Sequence, residues 1–236
     1  MKTIFYACDE RGGGEHGWLS TRYSFSFNTW YDENKMGFGA LRVLNDDVIA
    51  AGQGFSAHGH RDMEIITIVM RGAVAHEDSL GNAYVVCEGD VQVMSAGTGV
   101  RHAEYNHSSD ESLELFQIWI EPRVLSVEPK YFQKNYDFKN ITNDVIELVG
   151  KSSLSLNQEA SIFYGAFTQE KSYMYHLRGT DHGVFIFVIE GTLEVGGKTL
   201  EKRDALGVRE TKSVTITSQR SSAFLIIEVP MSREII

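Results

Sequence analysis

The 236 residues are enough for one large or two modest domains, and 42% hydrophobic with 23% charged residues is ordinary for a soluble globular chain. The net charge of −10 is uneven: residues 1–121 hold 8 Lys+Arg against 18 Asp+Glu, leaving 14 against 14 of the totals of 22 and 32 for the remainder. An acidic first half repels phosphate backbones and so excludes direct nucleic-acid binding there.

The N-terminus offers too short an apolar run for a signal peptide, and no stretch approaches a membrane span. Cys8 and Cys87 form no Cys-x-x-Cys motif. Two lone thiols, buried or inert, suit a reducing compartment, so a cytoplasmic protein is expected.

In chain order, Gly12-Gly13-Gly14 lacks a following Gly-Lys-Ser/Thr and predicts a flexible turn rather than a phosphate loop. His16, beside Gly17 and Trp18, is expected to be a loop or packing histidine. Alternation over Tyr23–Phe27 predicts a strand, and Gly39 to Val48 predicts another. Further strands are expected over Glu64–Met70, Ala73–Glu77, Tyr84–Cys87, Val91–Met94 and Leu113–Ile120, with Asp78-Ser79-Leu80-Gly81-Asn82 as a turn. Short strands punctuated by glycine turns predict an all-β barrel or sandwich. A short helix is expected around Asn143 to Leu156.

The second half echoes the first. Val184–Val195 repeats Ile65–Ala75 with Gly191 answering Gly72, and Arg203-Asp204 answers Gly89-Asp90. The pattern predicts a duplicated β-domain, divided near Pro122 into residues 1–122 and 123–236.

His58-Gly59-His60 and His102-Ala103-Glu104 are metal-type side chains at i and i+2. Alternate strand residues leave the same face, ~6.6 Å apart, a span that two imidazoles can close onto one ion. Together the pairs make a four-ligand N/O site, suited to Fe(II), Mn, Ni, Cu or Zn. An octahedral ion would keep two open positions, the mark of a catalytic centre. Glu64 competes for the carboxylate place, but a regular strand carries it ~13 Å beyond His60; it is expected to serve behind the ligands or to face substrate.

Offsets taken from the turns place Leu177, Gly179, Ile216 and Ser218 at the four positions in the second copy, so only the first copy is expected to hold a metal. His76, His107, His176 and His182 are not expected to be ligands.

Gly52 to Glu64 reads Gly-(x)5-His-x-His-(x)3-Glu, and Gly97-Thr98-Gly99-Val100-Arg101-His102 is followed by Asn106. These segments resemble the two cupin motifs. His16-Gly17-Trp18-Leu19, Ser24-Phe25-Ser26-Phe27, Gly37-Phe38-Gly39 and Ser95 to Asn106 resemble the pirin family more closely, with Gly59 where a proline is common.

The resemblance implies two face-to-face cupin barrels of the double-stranded β-helix (jelly-roll) type. It implies one mononuclear divalent metal, expected as Fe(II), on His58, His60, His102 and Glu104. It also implies quercetin 2,3-dioxygenase activity, in which dioxygen opens a flavonol ring and carbon monoxide is lost. Glu104 is the candidate base for the flavonol 3-hydroxyl. The partners expected are a small aromatic substrate and dioxygen. The alternative is a metal-binding regulatory protein acting through contacts with a protein partner, as some pirin relatives do.

Overall fold

The computed structural model describes residues 1–232. Twenty-one strands account for the regular structure, and among the described residues the only helical segments are two three-residue 3-10 turns, Cys8–Glu10 and Phe138–Asn140. No helix among them is long and apolar enough to cross a membrane.

In order, the strands are β1 (Lys2–Tyr6), β2 (Gly12–Glu15), β3 (Leu19–Tyr23), β4 (Leu41–Ile49), β5 (Gly54–His60), β6 (Glu64–Arg71) and β7 (Ala73–Asp78). Then come β8 (Ala83–Cys87), β9 (Asp90–Ser95), β10 (Val100–Asn106), β11 (Leu113–Ile120), β12 (Lys130–Asn135), β13 (Asp144–Val149) and β14 (Ser161–Phe167). The last are β15 (Lys171–His176), β16 (His182–Glu190), β17 (Leu193–Val195), β18 (Lys198–Leu200), β19 (Ala205–Arg209), β20 (Ser213–Ser218) and β21 (Ser222–Pro230).

They form two sandwiches of like plan. The first pairs a seven-stranded sheet, β12-β9-β6-β11-β4-β3-β2, with the four-stranded β5-β10-β7-β8; the second pairs β1-β19-β16-β21-β14-β13 with β15-β20-β17-β18. Two strands cross the division expected at 122/123. β1 joins β19 in the second unit, and β12 joins β9 at the matching place in the first. Each unit thus completes its large sheet with a strand from the other part of the chain.

Strand alternation places the cores. Ile66 and Ile68 of β6, Phe116, Ile118 and Ile120 of β11, Phe185 and Phe187 of β16, and Leu225 and Ile227 of β21 share one cluster between the two large sheets. The opposite faces of the same strands point into the separate units. Val184, Ile186 and Val188 join Phe224 and Ile226 to fill the second unit, whereas Val69, Leu113 and Leu115 fill only part of the first. The fold is therefore two jelly-roll units packed face to face, as expected. Gly72 and Gly191 hold the same left-handed turn at φ 81° and 80°, and a Cβ would meet the Ser112 carbonyl at 3.1 Å in one and the Ser221 carbonyl at 2.2 Å in the other.

Several local expectations are corrected. The glycine triplet is not a free turn: β2 pairs with β3, whose backbone supplies the register Gly12↔Tyr23 to Glu15↔Ser20. The strand expected over Tyr23–Phe27 lies earlier, at Leu19–Tyr23, because Ser26 and Phe27 bond to the loop residues Lys35 and Trp30 instead. The helix expected near Asn143–Leu156 is the strand β13, whose Val145 and Ile146 pack on opposite faces against the two large clusters. Both cysteines are exposed and free rather than buried.

Candidate metal centre

The site is built on β5 and β10, the antiparallel neighbours of the small sheet in the first unit. His58 and His60 leave the same face of β5, and His102 stands directly across from His58. Beyond this pair the register jumps, so that Glu104 opposes Phe55: β5 bulges at Ser56-Ala57. A bulge re-aims the side chains beside it. Here it brings the Ser56 carbonyl 2.8 Å from His58 Nδ1. A carbonyl only accepts, so Nδ1 carries the proton and Nε2 keeps its lone pair. Arg101 Nη2 bonds the Ala57 carbonyl at 3.0 Å and pins the bulge.

The three rings converge, with centroid separations of 4.8 Å (His58–His60), 4.5 Å (His58–His102) and 4.9 Å (His60–His102). Their ligand atoms all lie within 4.8 Å of one another. Burial, followed by the neighbouring His102 and His58, lowers the His60 pKa to about 4. Burial, then His58 and His76, lowers that of His102 to about 3. Neutral imidazoles with free lone pairs are the metal-binding form. His102 is only 2% exposed, and neither of its ring nitrogens has a hydrogen-bond partner. An imidazole orphaned at both nitrogens is costly unless an ion takes one of them. The residues fit a divalent metal.

Glu104 is 4% exposed and groups with His102 and His76 rather than with the full three-histidine set. Its carboxylate is held by side chains distant in sequence. Gln117 Nε2 donates to Oε2 at 2.9 Å, while Gln92 Nε2 and Thr67 Oγ1 reach Oε1 at 3.4 Å. Both amides have a donor behind them: Trp119 Nε1 donates to Gln117 Oε1 at 3.2 Å, and the Tyr131 hydroxyl is shared between Gln133 Oε1 at 2.9 Å and Gln92 Oε1 at 3.2 Å. The glutamate is thus fixed in position by donors that are themselves oriented.

Glu64 is turned away from the site. It lies on the inter-unit face of β6, fully buried, bonded to Ser95 Oγ at 2.6 Å and the Asn157 backbone N–H at 2.9 Å. Alternation explains this, since Thr67, three residues on, occupies the face that meets Glu104.

The histidines and Glu104 form one wall of a cavity of about 550 Å³. Trp18, Tyr23, Phe27, Phe55 and Trp119 supply its aromatic sides, with Asn45 and Asp47 as polar positions and His16 also lining it. Trp119 meets His60 edge to face at 4.9 Å. Asp47 is 3% exposed and bonded to Thr21; burial raises its pKa to about 7 against the opposing Thr21 bond.

Sequence reading missed Thr67, Gln92, Gln117 and the cavity walls. The signal for the glutamines was present, because each interrupts an apolar strand: Val91-Gln92-Val93 and Phe116-Gln117-Ile118.

The fold and site define a two-unit cupin with a histidine-rich metal centre in its first unit. The profile described as Pirin matches residues 6–120, and one described as a quercetinase C-terminal cupin domain matches residues 149–229. A quercetin 2,3-dioxygenase of Escherichia coli (strain K12) is 40% identical over 94% of this chain and 96% of its own. A pirin-like protein of Caulobacter vibrioides is 39% identical over 93% of this chain and 96% of its own. The crystal structure of the bacterial pirin YhhW from Escherichia coli in complex with nickel(II) superimposes with a TM-score of 0.92 at 37% identity, covering 98% of this chain and 100% of that one. The chain belongs to the pirin family and is similar to its bacterial quercetin 2,3-dioxygenases.

Proposed function

We propose that this chain is a metal-dependent dioxygenase that opens a flavonol such as quercetin with dioxygen and releases carbon monoxide. The observation carrying this reading is the convergence of His58, His60 and the doubly orphaned His102 on one wall of an aromatic-lined cavity. The 550 Å³ volume falls within the range of pockets that take drug-sized ligands. The Escherichia coli relative named a quercetin 2,3-dioxygenase supports the assignment, and the nickel(II) complex of YhhW supports a divalent ion at such a centre.

Fe(II) is the ion we assign, with Ni, Zn, Cu and Mn as ions the same donors admit. When bound, a divalent ion supplies Lewis-acid polarisation of an oxygen donor and a template for two reactants. His58, His60 and His102 would hold it, with Glu104 as the fourth ligand.

The remaining work belongs to the chain. Trp18, Phe27, Phe55 and Trp119 offer ring faces and edges to a planar aromatic substrate and keep water from its reacting edge. Glu104 is the base: one carboxylate oxygen takes the proton of the substrate hydroxyl, while the amide of Gln117 holds the other oxygen in place.

The test is oxygen uptake on quercetin by iron-loaded protein, normalised to bound metal. Turnover with carbon monoxide release is expected. Fully loaded protein with no uptake would defeat the dioxygenase reading and favour the regulatory one. Glu104→Gln should retain metal yet lose turnover by ~10²-fold, the scale of a general base. Full activity per metal in this variant would place the base elsewhere.

A further inference from the structure

His76 lies on β7, across from Glu104 in the register with β10. It is 1% exposed, and its ring centroid stands 5.3 Å from that of His102. Its Nε2 lies 3.2 Å from Asp78 Oδ2, both side chains being fully enclosed. Asp78 is itself locked: Oδ1 accepts from the backbone N–H groups of Leu80 at 2.9 Å and Asn82 at 3.1 Å, and Oδ2 from Asn82 Nδ2 at 2.8 Å. A carboxylate oxygen accepts, so His76 Nε2 carries a proton, and in the neutral ring Nδ1 then carries a lone pair. That Nδ1 is buried and has no partner.

Three orphaned nitrogens therefore lie on two neighbouring rings whose centroids are 5.3 Å apart: Nδ1 of His76 and both ring nitrogens of His102. An ion can satisfy only one of the His102 nitrogens. A neutral imidazole bound to a metal through one nitrogen is an N–H donor at the other, and that donor needs an acceptor. The geometry points to His76 as that acceptor: Asp78 fixes the tautomer of His76, and His76 Nδ1 receives the far N–H of ion-bound His102. One ion and one hydrogen bond then satisfy all three atoms. One nitrogen of each ring and a Glu104 oxygen lie within 4.8 Å of one another, a separation between the rings that a small approach or one bridging water would close. His76 is on this account a positioning residue, orienting His102 and raising its donor strength without touching the ion. The inference rests on the reading of His102 as a ligand.

The test uses the full chain loaded with Co(II) or Ni(II). Affinity is measured by chelator competition, and the exchangeable imidazole N–H of His102 by its shifted proton resonance in the Co(II) form. His76→Phe fills the space but offers no acceptor; it should lower affinity ~10–100-fold and speed exchange of the His102 N–H. His76→Gln can present an amide oxygen and should restore most of both. Asp78→Asn is the sharper variant. Two backbone donors hold its oxygen at the Oδ1 place, so its NH2 faces His76, the tautomer flips, and Nδ1–H opposes the His102 N–H. It should therefore be worse than His76→Gln, and it serves in place of His76→Phe if that variant does not fold.

Unchanged affinity and N–H exchange in His76→Phe, or in Asp78→Asn where it stands in, would overturn the pairing. Complete loss of metal in both His76→Phe and His76→Gln would also overturn it and make His76 a ligand. Retention of full metal by His102→Ala would instead sink the centre on which the pairing depends.

Discussion

The two units share a register and differ in what they place along it. Thr67 pairs with Gln92 and Gln117 in the first unit; the corresponding triple in the second is Ile186 with Leu206 and Ile226. His102 and Glu104 correspond to Val214 and Ile216, reached by following β20 against β17. His58 and His60 correspond to Tyr175 and Leu177, for Tyr175 pairs with Val214 as His58 pairs with His102. These assignments correct the ones read from turn spacing by two residues. The stretch from Asp204 to Val214 is two residues shorter than that from Asp90 to His102, so an offset carried from the turn overshoots.

The correction leaves the contrast sharper. Four candidate ligands and three supporting polar residues become six aliphatic side chains and one tyrosine, which spends its hydroxyl on Glu228 at 2.5 Å. The bulge is also lost, because β15 runs beside β20 in continuous register from Lys171 to His176. One scaffold thus serves as a site, where Glu104 and its amides have directed partners and imidazole nitrogens are left for an ion, and as a largely apolar plug. The lesson is that a polar interior must be acquired as a set, since a half-satisfied network costs more than an apolar core.

The largest effect should come from emptying the polar set. His58→Ala with His102→Ala removes two of three converging donors, and elemental analysis should fall from one metal per chain to none. Full retention would mean that the ion is held elsewhere.

Next is the reverse experiment. Ile216→Glu plants a carboxylate in the apolar second unit, where Ile186, Leu206 and Ile226 offer no donor. A loss of about 3–5 kcal/mol in urea unfolding is expected, the scale of an unpaired buried charge. Adding Ile186→Thr, Leu206→Gln and Ile226→Gln should recover part of it. A neutral single substitution would break the comparison.

A smaller effect concerns acid. In the ion-free protein, His60 and His102 have pKa values lowered to about 4 and about 3, chiefly by burial, against ~6.5 when unfolded. The unfolded chain therefore binds more protons in this interval. Their contribution to stability is complete above about 6.5 and is lost as pH falls towards 4 and 3. Asp47 has the opposite sign, its raised pKa of about 7 removing stability as pH climbs through that value. Tyr175, Leu177 and Val214 offer nothing that titrates in acid, so the first unit should loosen first. All three tryptophans, Trp18, Trp30 and Trp119, lie in the first part of the chain and report on it. Melting followed by tryptophan fluorescence should drop between pH 7 and pH 4; a flat profile would contradict the assigned burial.

The smallest effect is expected from His176→Ala with His182→Ala, which should leave metal content unchanged. His182 Nδ1 bonds Glu228 Oε1 at 2.7 Å, so a stability loss of about 1–2 kcal/mol is expected. Loss of metal would put an ion in the second unit after all.

By itself the sequence determined the features that are local or periodic. Alternation marked the strands of both units, the Gly72 and Gly191 turns marked the duplication, and the i, i+2 spacing of His58, His60, His102 and Glu104 placed each pair on one strand face. The tertiary structure decided everything that depends on which strands become neighbours. It set Gln92 and Gln117 around Glu104, turned Glu64 towards Asn157, exchanged β1 and β12 between the units, and carried His76 to within reach of His102. The physical reason is that a strand fixes the face a side chain leaves from, whereas its partner across the sheet is chosen by register and closure, which involve residues tens of positions away.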